Sequence, residues 1–98
     1  MEDDAPIELP IDGVLDLHTF HPRDVKNLVI DYLAACRDRG ILEVRIIHGK
    51  GIGALRETVH STLRSLPDVD SFHLAADASS WGATIVYLKA RGRTSSAV

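Results

Sequence analysis

Two short stretches hold the side chains best suited to acid–base or anion chemistry, Leu15-Asp16-Leu17-His18 and His48-Gly49-Lys50-Gly51. In the first, a carboxylate and an imidazole alternate with leucines, so on an extended strand both polar groups project on one face, about 7 Å apart. A carboxylate placed there orients an imidazole, fixes its tautomer and raises its basicity, which suits a general acid/base pair or part of a metal site. The same alternation also fits a strand that simply shows a polar face to solvent. In the second, His48 and Lys50 add a titratable base and a cation to His48-Gly49-Lys50-Gly51-Ile52-Gly53, where alternating glycines let the backbone turn sharply and approach a ligand. Unpaired N–H groups at the start of a following helix receive an anion there. Glycines alone equally satisfy a tight turn with no ligand.

Gly49, Gly51 and Ala54 match the dinucleotide pattern G-x-G-x-x-G/A, but the longer sheet and the acidic residue about 20 positions on are lacking. No G-x-x-x-x-G-K-[ST] phosphate loop is present either. A nucleotide cofactor is therefore not expected.

These motifs need a scaffold, and the chain alternates strand and helix signals. Val14 to His18 reads as a short, largely buried strand after the turn-forming Asp12-Gly13. Pro22 opens a helix with Asp24 in its first turn; Val25, Leu28, Val29, Tyr32, Leu33 and Cys36 form its apolar stripe, and Gly40 suits the left-handed position past its end. Leu42 to Ile47 makes a second strand, and Leu55, Val59, Leu63 and Leu66 mark a second helix stopped by Pro67. Val69 to Leu74 and Ala83 to Leu88 close the order as βαβαββ. His60, off the second stripe, and His73, in the third strand, read as structural or solvent-exposed, while His21 is placed to cap the first helix or reach the site.

With 98 residues, 45% hydrophobic and 26% charged, the chain is sized for one small domain. No apolar run approaches the ~20 residues of a membrane span, and Met1-Glu2-Asp3-Asp4 lacks the basic start of a signal or transit peptide, so a cytoplasmic protein is expected. The single Cys36 rules out an internal disulfide and a cysteine-based zinc framework. The net charge of −3 is uneven: of 14 acidic residues, Glu2, Asp3, Asp4, Glu8 and Asp12 fall within residues 1–12, which hold no Lys or Arg, leaving nine against 11 basic ones. The remainder is mildly basic, and the acidic segment reads as a solubilising arm or as a competitor for a polyanion site. Residues 1–10 are thus expected to form a flexible acidic arm, 11–89 the folded domain, and 90–98 a flexible tail.

Leu15-Asp16-Leu17-His18, His48-Gly49-Lys50-Gly51 and Gly82-Ala83-Thr84-Ile85-Val86-Tyr87-Leu88, in this order, resemble the Smr (small MutS-related) domain in its short stand-alone form, over Ile11 to Leu88. The resemblance implies an α/β fold, a two-layer α+β sandwich with a four-stranded mixed sheet, like the C-terminal domain of bacterial translation initiation factor three. It also implies nucleic-acid endonuclease or binding activity, in messenger RNA cleavage at stalled ribosomes or in DNA repair and recombination. RNA or DNA is the implied partner, with the ribosome as a candidate and no membrane. Asp16 and His18 match the first motif of the family, His48, Gly49 and Gly51 the second, and Thr84 the last. Thr19 replaces the usual glycine after the first histidine, and Ser79-Ser80-Trp81-Gly82 departs from the glycine-rich stretch before the last strand. Phe20 and Trp81 are rings able to stack on an unpaired base or simply to pack over a loop.

On RNA, His18 and His48 would act as base and acid at the 2′-hydroxyl and the leaving oxygen. Asp16 would orient His18, Lys50 and the loop N–H groups would neutralise charge on phosphorus, and no metal is needed. DNA nicking lacks the 2′-hydroxyl and would use an activated water, with Asp16 holding Mg2+ or Mn2+. Gly49, Lys50, Gly51, Gly53 and Thr84 are the expected substrate-binding positions, with Arg23, Arg45 and Arg56 at the rim for phosphates. The alternative is a module that binds nucleic acid or the ribosome without catalysis, needing Lys50 and the glycines but not Asp16.

Overall fold

The computed structural model describes residues 10–49, 53–75 and 82–90. Its elements follow the expected βαβαββ order: β1 (Val14–Asp16), α1 (Pro22–Asp38), β2 (Glu43–Ile47), α2 (Ala54–Ser65), β3 (Val69–Leu74) and β4 (Ala83–Leu88). The strands form one sheet in the order β1-β2-β4-β3, with β1 and β2 parallel and the other pairs antiparallel. The mixed sheet and the two helices are the architecture expected of a two-layer sandwich.

The first helix begins and ends where the chain punctuates it. Pro22 has no N–H to leave unpaired, the His21 Nδ1 accepts the Arg23 N–H at 3.2 Å, and Asp24 meets the positive end of the helix dipole. At its other end Gly40 takes a φ of 77°, the left-handed conformation that closes the last turn without a Cβ penalty. Val25, Val29, Tyr32, Leu33 and Cys36 form its buried side. They meet Leu15, Val44, Ile46, Val86 and Leu88 of the strands and Val59 and Leu63 of α2 in one core, so both helices cover the same sheet face. Each such apolar side chain contributes about 1.5–3 kcal/mol on burial. A smaller cluster of Ala75, Ala83 and Ile85, with Ile47 and Tyr87 against it, lies apart from this core.

The first strand is shorter than expected. Pairing stops at Asp16 because its carboxylate accepts the His18 N–H at 3.0 Å, folding the chain into a turn, and the Phe20 N–H on the Leu17 carbonyl closes the next one. The entry to β1 is fixed as well: the Tyr32 hydroxyl accepts the Gly13 N–H at 3.1 Å and donates towards the Val14 carbonyl at 3.0 Å. Among the described residues, no helix is long and apolar enough to cross a membrane. The expected terminal arm and tail lie outside the described residues but for their innermost positions.

Candidate active site

Asp16 lies beside Ile47 in the parallel pair, and Ile47 lies beside Ala83 in the antiparallel one. The segments leaving β1 and β2 and the one entering β4 therefore share one end of the sheet, the position where loops gather on a rigid scaffold. Strand alternation divides this end in two. Asp16 and Ile47 share the face turned away from the helices, whereas Thr84, beside Ile46, faces the helices and is fully buried. His48 continues the alternation of Val44 and Ile46 towards that covered side and is 7% exposed.

On the open side, His18 Nδ1 lies 2.7 Å from Asp16 Oδ1, the oxygen that also takes the His18 backbone N–H. A carboxylate only accepts, so the imidazole proton sits on Nδ1 and the lone pair of neutral His18 is on Nε2. The His18 side chain is 75% exposed, which leaves that nitrogen open to a substrate. The backbone N–H of His18, then its imidazole, holds the Asp16 carboxyl below the usual carboxylate pKa, so the orienting group stays charged. Beside the pair runs a groove of about 480 Å³, walled by Val14, Leu15, Phe20 and Tyr32. Phe20 thus lies next to the Asp16–His18 pair as its sequence position suggested.

On the covered side, the N–H groups of His48 and Gly49 both donate to the Gly82 carbonyl, at 2.7 and 2.8 Å, tying the start of the glycine loop to the start of β4. Gly49 needs to be glycine for its φ of 87°. The His48 side chain adds a second tie: Nε2 is 2.8 Å from Thr84 Oγ1 and Nδ1 is 3.2 Å from the Gly49 carbonyl. Thr84 Oγ1 is equally close, 2.8 Å, to Nε2 of His60 on α2. The His60 ring stands edge-on to His48 at 6.0 Å and leans on Phe72 at 4.9 Å. Burial lowers the pKa of both histidines, opposed at His48 by the Gly49 carbonyl and reinforced by the Arg56 charge; at His60, His48 and Arg64 add to the effect and Glu57 opposes it. Both are therefore neutral near pH 7.

The structure thus joins Asp16 to His18 and His48 to Thr84, while among the described residues no hydrogen bond or ring contact links the two sets. Arg56 lies in the first turn of α2, where its guanidinium is the nearest group to Gly53: a Cβ there would meet it at 3.0 Å. Arg23 is exposed in the first turn of α1, on the segment leading from His18. Arg45 is half-buried beside Val14 and Ile85, two residues back from the strand end and on the same sheet face as Asp16. His21 caps α1, and His73 lies exposed against Tyr87. Lys50, Gly51 and Trp81 lie outside the described residues. Among those described, no group of three or more His, Cys, Asp or Glu side chains is placed to hold a metal ion.

His60, which the sequence reads as structural or solvent-exposed, is half-buried and bonded to Thr84, a tie that its own position did not signal. The signal for it was Thr84, a hydroxyl inside the apolar run Ala83 to Leu88: a threonine buried there needs a partner.

Comparison with known proteins agrees with this architecture. Residues 15–89 match the Smr domain model. The chain is 34% identical over 80 residues to the endonuclease MutS2 of Thermomicrobium roseum and 40% identical over 76 residues to that of Carboxydothermus hydrogenoformans. These matches cover 81% and 76% of this chain but 10% of each relative, so the chain spans about one tenth of the curated relatives it matches. Among solved structures, the Smr domain of Thermus thermophilus MutS2 superposes with a TM-score of 0.72 at 31% identity, covering 80% of this chain and 99% of that one. YdaL, a stand-alone small MutS-related protein from Escherichia coli, gives 0.73 at 25% identity, covering 79% and 64%. With its helices, mixed sheet and both motif loops in the same order, the chain belongs to the Smr domain family.

Proposed function

We propose that this chain is an Smr-type endonuclease that cleaves RNA or nicks DNA, with His18 as its base. The observation that carries the reading is the Asp16–His18 pair: a 2.7 Å bond that fixes the tautomer, with Nε2 left open at an exposed strand end. His18 Nε2 takes the proton of the attacking oxygen, the 2′-hydroxyl of RNA or a water. Phosphorus gains that oxygen and releases the 5′ oxygen, which takes its proton from solvent water. A positioned base of this kind is worth roughly 10²–10⁴ in rate.

His48 belongs to the same site in a different capacity. Its neutral ring, with the proton on Nδ1 beside the glycine loop, is a hydrogen-bond donor for a phosphate oxygen or for the leaving oxygen. The bond from Nδ1 to Gly49, at 3.2 Å the longest His48 makes, is the one a substrate oxygen would replace. Lys50, the loop N–H groups beyond the two bound to Gly82, Arg23 and Arg56 would hold phosphates nearby. So few contacts give weak, salt-sensitive binding, which a ribosome or another partner would reinforce. Messenger RNA cleavage at stalled ribosomes and DNA repair are the settings this chemistry fits, and the relatives' designation as endonucleases supports it.

The test is cleavage of end-labelled single-stranded RNA and matched DNA, with nicking of supercoiled plasmid, in Mg2+, Mn2+ or chelator. Wild type is compared with Asp16→Asn and His18→Ala. Cleavage lost in both variants establishes the assignment. Resistance to chelator selects the RNA route, whereas dependence on metal assigns Asp16 to an ion. If the variants cut as well as wild type, the base is elsewhere. If wild type binds but cuts nothing, the chain is a binding module that uses the glycine loop alone.

A further inference from the structure

We propose that His60 is a positioning residue of this site: through Thr84 it fixes the His48 imidazole with its proton on Nδ1, directed at the glycine loop. The consequence for cleavage rests on the nuclease reading above; the proton arrangement does not.

The Gly49 carbonyl only accepts, so the His48 nitrogen beside it carries a hydrogen, and in the neutral ring Nε2 is then a bare acceptor. At 2.8 Å its donor is the Thr84 hydroxyl, which has one proton to give. With that proton committed, His60 Nε2, also at 2.8 Å, must itself donate to Oγ1. The order runs His60 Nε2–H to Thr84 Oγ1–H to His48 Nε2, and from His48 Nδ1–H to Gly49. Each member has one role open to it.

His60 removes the ambiguity from this chain. A threonine hydroxyl rotates, and with His48 as its sole partner it can either donate or accept, leaving the long 3.2 Å bond to Gly49 alone to select the His48 tautomer. A donor arriving from α2 occupies a lone pair of Oγ1 and leaves its proton directed at His48. The ring that supplies this donor is held on its flank by Phe72. Thr84 is fully buried, so no water substitutes for His60 at the hydroxyl. Helix α2 follows the glycine loop in sequence, and the Gly82 carbonyl just before β4 receives the His48 and Gly49 N–H groups, so the relay also couples the loop's two supports.

The experiment is 15N NMR of histidine-labelled full chain at neutral pH, reading tautomers directly, beside kcat and KM on cleaved RNA. Wild type is expected to show His48 protonated on Nδ1 and His60 on Nε2. His60→Leu should move the His48 signals to a mixture of tautomers and lower kcat about tenfold with KM unchanged, the loss of one oriented hydrogen bond. His60→Gln, whose amide N–H stands where Nε2–H stood, should restore both, a rescue that a packing role would not give. If His60→Leu fails to fold, His60→Asn, too short to reach Thr84, takes its place. A His48 proton on Nε2 in wild type, or one unchanged tautomer in wild type and His60→Leu, overturns the proposal. If no nucleic acid is cleaved, the nuclease reading falls, while the tautomers still decide the relay.

Discussion

Thr84 offers a sharp test of whether hydrogen bonding or packing holds the end of the sheet together. Thr84→Val keeps the shape and removes the hydroxyl; Thr84→Ser keeps the hydroxyl and removes a methyl. In the valine variant both 2.8 Å bonds disappear. His48, 7% exposed, then has a ring nitrogen that water cannot easily reach, a loss of about 1–3 kcal/mol. His60 is half-buried and turns towards solvent at smaller cost, so the variant should lose about 2 kcal/mol in all. In a domain of this size that lowers Tm by about 10 °C. The serine variant loses one buried methyl, about 1 kcal/mol, and keeps both bonds. Thermal and urea unfolding at pH 7.5 therefore rank wild type above Thr84→Ser above Thr84→Val. A valine variant more stable than the serine variant would show that Thr84 acts by packing and would refute the account of the covered side.

Asp16→Asn should lower cleavage by about 10²-fold while moving Tm little, because the pair it breaks is largely exposed; equal cleavage by wild type and variant would exclude Asp16 as the orienting group. The two neutral histidines make stability depend on pH: with folded pKa values below the ordinary 6.5, the unfolded chain binds more protons beneath that value. Stability is then full above pH 6.5 and falls as pH drops through it towards the lowered values, and His48→Gln should flatten the urea midpoint between pH 7.5 and 5; a flat wild-type profile would contradict this. Gly49→Ala meets no atom within 4 Å, so its loss of about 1–2 kcal/mol comes from φ alone, whereas Gly53→Ala, at φ −67°, only displaces the flexible Arg56 side chain and should be near neutral. Equal Tm values for the two glycine variants would remove the conformational argument.

Patterning made most of the fold legible. Pro22, the apolar stripe ending at Cys36, and Gly40 mark α1 because each has one dominant physical meaning, and β3 and β4 read as strands for the same reason. The end of β1 was not legible, since Val14 to His18 alternates as a strand should and only the Asp16 carboxylate, competing for the His18 N–H, ends it. Of the site, Asp16 and His18 were readable as a pair because both belong to one local segment. The tie from His48 through Thr84 to His60 was not, because it joins three elements far apart in sequence and becomes visible only once register places Thr84 beside Ile46.

On the proposed nuclease reading, the two halves of this end of the sheet apply opposite electrostatic solutions to one ligand. On the open side a charged carboxylate orients an exposed imidazole. On the covered side burial and the nearby Arg56 keep His48 uncharged. A cationic His48 would attract any phosphate, in the ground state as much as in the transition state, and such uniform attraction lowers KM without raising kcat. A neutral donor of fixed direction acts where its N–H points, so it favours the arrangement in which negative charge has moved onto the oxygen in front of it. Long-range attraction of the polyanion then falls to the arginines and Lys50, which salt screens, while the oriented donor is shielded by burial. Raising ionic strength should therefore weaken binding and leave the rate of bound substrate unchanged. A kcat that falls in step with affinity would show that the loop's cations, and not His48, stabilise the reacting phosphate.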